Sequence, residues 1–259
     1  MGGAERGEGK RKRQAAEAVT AARGGGRASR GVLAGVAIVV VLAVVVGVGL
    51  WLQNRNKPAD LPAAIPVAAA GPEYQVAAQG DTIVTGNPQA PVTIEVYEDF
   101  LCPGCGQFEK LYHQSLAQAA ADGKARVVYH PVAILDALSV PAGYSTLAAG
   151  ATFCAAQAGV FPRFHDSLFA AQPTEGGPAW TRAQLQQLGR DLDAGDSFAS
   201  CVQAGADRRV AAATESAKRY ISGLRPDGRF STPSVVVNGA FADISDEGWL
   251  DQALSGARR

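Results

Sequence analysis

Between Pro91 and Gly123 a β-type run, a Cys-Pro-Gly-Cys tetrad and a helical run follow one another without a gap, and few folds can accommodate that order. Pro91–Phe100 (PVTIEVYEDF) is β-branched and aromatic, alternates in polarity and follows the turn-forming GNPQAP. Beyond the tetrad, Phe108, Leu111, Tyr112, Leu116, Ala119 and Ala120 recur at helical spacing as far as Asp122-Gly123, where glycine can take the left-handed cap conformation. The pattern predicts a strand running into Cys102 and a helix starting at the tetrad. A cysteine at a helix start faces unpaired backbone amides and the positive end of the helix dipole, both of which favour a thiolate. Pro103 suits a first-turn position that needs no amide. Cys105, three residues on, returns to the same side. A nucleophilic thiolate with a second sulfur close enough to resolve a mixed disulfide is what thiol exchange requires. The competing reading is half of a structural zinc site. Cys154, Cys201, His113, His130 and His165 are available for one, but none forms a second CxxC or an HxxxH knuckle.

The remainder of residues 72–259 is the size of a single core and has no internal repeat. Arg126–Ile134 (RVVYHPVAI) reads as a second strand, with Pro131 marking an edge, a bulge or its end. From residue 141 to about 224, short Ala-, Leu-, Phe- and Gln-rich helical runs are broken by Gly and Pro. Strand signals return at Pro233–Val237, and Asn238-Gly239 predicts a hairpin because both central turn residues need positive φ. The chain closes in a helix, SDEGWLDQALSGARR, acidic at its start and basic at its end. A sheet interrupted by a helical insertion, with CxxC where the first core strand meets a helix, is the thioredoxin-like α/β plan. Cys154 and Cys201, 47 positions apart in the apolar contexts TFCAAQ and FASCVQ, are expected to pair in an oxidising compartment. Such a bridge contributes about 3–4 kcal/mol in the chain-entropy model; the alternative is a second redox relay. In Ser231-Thr232-Pro233, a cis bond would expose the Thr232 backbone beside the active sulfur. X-Pro bonds are cis in only about one case in twenty, so the residues alone leave this open.

Ahead of this domain the chain changes character twice. Residues 1–30 carry eight Lys or Arg against three Glu and little that could be buried, which predicts a disordered tail. Gly31–Leu52 is twenty-two residues without a charge, roughly 33 Å as a helix, and predicts a transmembrane span over residues 31–53. A cleaved signal peptide is the competing reading, but its apolar stretch is shorter and carries a cleavage site close behind. The basic excess before the span predicts a cytoplasmic N-terminus and an outward-facing C-terminal domain. Residues 54–71, rich in Pro and Ala with no apolar period, predict a semi-extended spacer. With 24 Lys and Arg and 24 Asp and Glu in all, the part beyond the tail is mildly acidic and gives no reason to expect nucleic acid. There is no phosphate-binding glycine loop and no hydrolase spacing around any histidine. His113 falls off the apolar stripe of its helix and is expected to be exposed, His130 is expected to cap a strand end, and His165 lies in a helix beside Phe164.

YEDFLCPGC, YSTLAAGATFCAAQAG, FHDSLFAAQP and STPSVVVNGAF resemble, in that order, the DsbA-like thioredoxin-fold thiol–disulfide oxidoreductases, especially their single-pass membrane-anchored bacterial members. The likeness covers most of residues 80–255. It implies Cys102 as nucleophile, Cys105 as resolving thiol, Pro233 as the cis-proline, and Thr232 as a source of main-chain hydrogen bonds to a substrate strand. Two positions depart from the pattern. Many relatives place His between the cysteines where this chain has Pro103-Gly104, which implies a less acidic sulfur and a less oxidising disulfide. Relatives also often carry a buried carboxylate six residues before the first cysteine, where this chain has Val96. Strand alternation puts Glu98 on the face of Val96, which makes Glu98 the candidate proton acceptor; the alternative is that Glu95, Glu98 and Asp99 are all solvated edge charges. The expected activity is oxidation of thiols in exported proteins by a resting Cys102–Cys105 disulfide. A membrane partner of the DsbB or vitamin K epoxide reductase type would reoxidise it, and no metal or other cofactor is expected. An isomerase or reductase of the same fold and a disulfide-stapled binding domain are the rival readings.

Overall fold

The computed structural model describes residues 61–256, together with the single position Gly47. The basic tail and the uncharged run at 31–53 therefore lie outside the described residues, as do residues 257–259. Among the described residues no helix is long and apolar enough to cross a membrane.

A six-stranded sheet is built from β1 (Val76–Gln79), β2 (Thr82–Thr85), β3 (Val92–Glu98), β4 (Ala125–Pro131), β5 (Ser234–Val237) and β6 (Ala240–Phe241), in the order β1-β2-β4-β3-β5-β6. Only β3 and β4 run parallel, with Ile94 opposite Val127 and Glu98 opposite Pro131. The strand predicted at Pro91–Phe100 is thus the centre of the sheet, flanked by β4 and β5. Of the three possibilities for Pro131, the structure shows the end of a strand, where its missing amide disturbs no ladder. The hairpin at Asn238-Gly239 forms with φ of 51° and 84°. The β1–β2 hairpin, turning at Gly80 with φ 58°, is an element that the sequence pattern did not reveal.

Seven helices are seen among the described residues: α1 (Pro103–Ala121), α2 (Tyr144–Gln157), α3 (Phe161–Ala170), α4 (Arg182–Asp191), α5 (Gly195–Ala204), α6 (Asp207–Leu224) and α7 (Trp249–Gly256). Val92, Ile94 and Val96 of β3 point to one face of the sheet, where they pack with Phe108 and Leu116 of α1, Phe153 of α2, Phe161 of α3 and Trp249 of α7. Tyr97 points to the other face and packs with Val236 and with Ala217 and Ile221 of α6. A separate helical cluster contains Phe164, Leu168, Trp180, Leu185, Leu188, Phe198 and Val202. α2 joins the two cores, giving Ala149, Phe153 and Ala156 to the sheet and Ala148, Ala151 and Ala155 to the helical cluster. The helical block at 141–224 is therefore fused to the sheet through α2, α3 and α6.

Two expectations fail here. Leu111 is 61% exposed, because on a 100° per-residue helix it falls roughly 60° outside the arc running from Phe108 to Ala120. Residues 61–71 are not a free spacer. Ile65 is 2% exposed within the helical cluster, the Ala68 amide donates to Ser167 Oγ at 2.9 Å, and the Gln184 side chain donates to the Ala63 carbonyl at 3.1 Å. One isoleucine among prolines and alanines makes no periodic signal, so only the groove that receives it reveals the docking.

Candidate active site

Cys102 caps the N-terminus of α1 in an extended conformation, Pro103 occupies the first turn, and no acidic side chain competes for the free amides there. The central strand ends one turn earlier, so sheet and helix together fix the position of the sulfur. Cys102 and Cys105 are unbonded thiols, the reduced half of an exchange cycle. Thr232 and Pro233 come to them from the loop before β5. Their peptide is cis, and the Cys102 thiol donates to the Thr232 carbonyl at 3.4 Å. Gly104 lies under the same proline: a Cβ on it would be 3.1 Å from Pro233 Cδ, so the tetrad has little room for a side chain.

The two sulfurs differ in acidity for physical reasons. A hydrogen bond from the Cys105 thiol, aided by Thr232 and by the amides of Cys105 and Gly104, lowers Cys102 to about 6 against the opposing effect of burial. The Thr232 carbonyl favours the neutral thiol, so the lowering comes from the Thr232 side chain, whose hydroxyl is buried without a hydrogen-bond partner and is free to turn toward the thiolate. Cys105 is pushed up by its own burial and by the Cys102 sulfur. With Pro103-Gly104 between the cysteines, the groups that lower Cys102 are the Cys105 thiol, Thr232 and the backbone amides rather than a histidine.

Glu98 and Asp99 are buried, which overturns the solvated-edge reading for both. Glu98 shares a face with Val96 as alternation predicted and meets His165 of α3, Oε1 to Nε2, at 2.9 Å. Burial raises Glu98 to about 7 against the attraction of His165, and its charge in turn raises Cys105. Asp99 accepts bonds from the amides of Leu101, Ile134 and Leu135 and from Ser145 Oγ, tying the tetrad loop to the end of β4 and to α2. Gln172, just past α3, had no sequence signal; its amide donates to the carbonyls of Phe100 (3.2 Å) and Cys102 (2.8 Å). It packs over Gly106, where any Cβ would collide with its side chain.

The histidines depart most from expectation. His113 is half-buried, with Nδ1 3.2 Å from Glu109 Oε2 and Nε2 3.2 Å from Asp166 Oδ2. Burial opposes its charge, but the two carboxylates prevail and raise it to about 9. His165 is fully buried. Burial alone would lower it, but the charges of Glu98 and Glu109 and the bond to Asp166 hold it protonated well above its ordinary range. His130 is stacked on Tyr97 and bonded to Glu95 at 3.1 Å, on the other face of the sheet from Glu98. Donor atoms of Glu109, His113 and His165 lie within 4.8 Å of one another. Both nitrogens of His113 nevertheless face carboxylates, the arrangement of an imidazolium held between acids rather than of a metal ligand. That cluster includes neither Cys102 nor Cys105, so the zinc reading gains nothing. Cys154 and Cys201 form a disulfide joining α2 to α5, with Cα atoms 5.8 Å apart.

Comparison with known proteins agrees with this geometry. The Thioredoxin family profile matches residues 78–253. The chain is similar to reduced DsbA from Mycobacterium tuberculosis, with 25% identity, 69% of this chain and 100% of that chain covered, and a TM-score of 0.54. It is also similar to the disulfide bond oxidoreductase DsbG of the same organism, at 27% identity, 67% and 89% coverage and a TM-score of 0.51. The serine/threonine-protein kinase PknE of M. tuberculosis is 30% identical over 181 residues, which are 67% of this chain but only 31% of that protein, so the chain spans about a third of that relative's length. Because the matched region runs from within β1 to within α7 and contains the tetrad, the chain belongs to the thioredoxin family and has the DsbA-like thiol–disulfide oxidoreductase fold.

Proposed function

We propose that the protein oxidises thiols of exported proteins on the outer side of a membrane to which its residues 31–53 anchor it, with Cys102 as the attacked sulfur and Cys105 as the leaving one. The observation that carries this reading is the placing of Cys102 at the start of α1, with Cys105 and the cis Thr232-Pro233 peptide beside its sulfur, which lowers the thiol to about 6. A thiolate stabilised only in the dithiol form makes the corresponding disulfide a stronger oxidant, because reduction gains that stabilisation. At pH 7 a thiol of that acidity is roughly nine-tenths ionised, so it also leaves readily when a second substrate thiol attacks the mixed disulfide. The Thr232 carbonyl, beside the sulfur, offers an acceptor to a substrate strand. Reoxidation falls to a quinone-linked membrane protein of the DsbB or vitamin K epoxide reductase type, and no further cofactor is needed.

A reductase or isomerase is the second reading, favoured by the lack of any charged side chain at Gly104. The test is the equilibrium of the full-length protein with glutathione buffers, read by thiol trapping and mass spectrometry. A potential of about −120 to −180 mV supports the oxidase, and one of about −250 mV supports the reductase. A Cys102–Cys105 pair that stays closed below about −300 mV would leave a structural staple.

A further inference from the structure

Behind the two cysteines lies a file of buried charge that exchange at Cys102 does not itself use. Glu98 Oε1 is 2.9 Å from His165 Nε2, His165 Nδ1 is 3.4 Å from Asp166 Oδ1, and Asp166 Oδ2 is 3.2 Å from His113 Nε2. The first two steps are hydrogen bonds, and the third is an ion-pair contact between Asp166 and His113. Glu109 stands beside the file, bonded to His113 and 4.0 Å from His165. Exposure rises along it: the side chains of Glu98 and His165 are 1% exposed, Asp166 14% and His113 25%. The outer end opens into a cavity of about 400 Å³ lined also by Ala68, Gly106, Lys110 and Phe169. Elsewhere the surroundings are aromatic, with the rings of Phe100, Tyr129, Phe161 and Phe169 packed around His165. Burying this much charge among such rings is costly, and a structural ion pair would need only two of the groups. At the inner end Glu98 Oε2 is buried without a partner, and the amide of the next residue, Asp99, donates to Cys105 Sγ at 3.4 Å, which brings that sulfur against the end of β3 where the Glu98 charge acts on it.

We propose that Glu98, His165, Asp166 and His113 form a path along which a proton from solvent reaches Cys105 when its sulfur leaves the disulfide. The path rests on the exchange reading above. In the step, a substrate thiolate attacks Cys102 Sγ and forms a new S–S bond. The Cys102–Cys105 bond breaks, and its electron pair goes to the Cys105 sulfur. The proton on Glu98 moves to that sulfur, giving the neutral thiol that burial favours. Glu98 takes a proton back from His165, which is resupplied through Asp166 and His113. A second substrate thiolate then releases Cys102 as thiolate, so two substrate thiols are oxidised and one enzyme disulfide is reduced. The other titratable groups facing the file are Lys110 at the mouth and the phenols of Tyr74 and Tyr129, which burial keeps neutral.

The test is single-turnover oxidation of a reduced peptide by the full-length protein, in wild type and in His113→Gln. The expected result is a rate about tenfold or more lower in the variant, restored by imidazole in the buffer, with the Cys102 titration midpoint unchanged. Asp166→Asn is expected to lower the rate similarly, without rescue by imidazole and with the Cys102 midpoint unchanged. The wild-type rate should also carry a solvent deuterium isotope effect that does not depend on the fold of any variant. Wild-type rates and pH profile in both variants would overturn the path, as would a loss that imidazole does not restore and that comes with a shifted Cys102 midpoint. An inert wild-type protein would instead overturn the exchange reading beneath it.

Discussion

Replacing Cys105 by alanine is expected to raise the Cys102 titration midpoint from about 6 to about 7–8. The bond from the Cys105 thiol is the largest of the effects acting on Cys102, ahead of Thr232 and the amides of Cys105 and Gly104. A hydrogen bond to a charged acceptor contributes about 1.5–3 kcal/mol, which at about 1.4 kcal/mol per pH unit corresponds to one to two units. Cys105→Ser keeps a donor in place and should hold the midpoint near 6. The assay is a pH titration of thiolate ultraviolet absorbance, checked by the rate of alkylation with iodoacetamide. In the alanine variant only Cys102 contributes to the signal, because Cys154 and Cys201 are bridged. The sign carries over to stability. A folded-state value lowered from the ordinary 9.0 to about 6 gives stability that is fully present above about pH 9 and is lost as pH falls through about 6. The reduced wild-type protein should therefore gain resistance to urea between pH 6 and 9, and the alanine variant should gain less. An alanine variant that titrates at the wild-type midpoint would refute the reasoning and leave Thr232, the helix end and the backbone amides as the cause.

Cys154→Ala together with Cys201→Ala should lower stability to chemical denaturation by about 4 kcal/mol, the chain-entropy figure for a loop of this length, while peptide oxidation continues; loss of oxidation with an intact fold would revive the relay reading. Gln172→Ala removes two donors from the tetrad loop and should cost about 1–2 kcal/mol of stability. Amide exchange at Cys102–Gly106 should then quicken, and unchanged protection there would show that the loop needs no clamp. Ile65→Ala should cost about 2 kcal/mol and open residues 61–71 to protease, whereas unchanged cleavage would mean that the segment is held by its backbone bonds alone.

The sequence by itself determined the order strand, tetrad, helix, the return of a Val-rich strand behind Thr232-Pro233, the Asn238-Gly239 turn and the inserted block of short helices. Each of these is written in local terms: a period of two or 3.6, a proline or glycine where the backbone requires one, and an alternation that put Glu98 on the inner face. Other features had no local signature. β1 and β2 are only four residues each, too short for alternation to stand out, and they become strands because β4 offers an edge. Ile65 is buried only because α3 and α4 present a groove to it. Gln172 reaches the tetrad from 70 residues away, and His113 and His165, which read as incidental in their helices, meet only where α1 and α3 cross behind Glu98. The acidity of Cys102 divides in the same way. The helix start that supplies its amides is legible in Cys102-Pro103, but the Thr232 contact depends on a loop 130 residues distant. Charge interactions depend on distance in space, and chain order alone does not fix that distance.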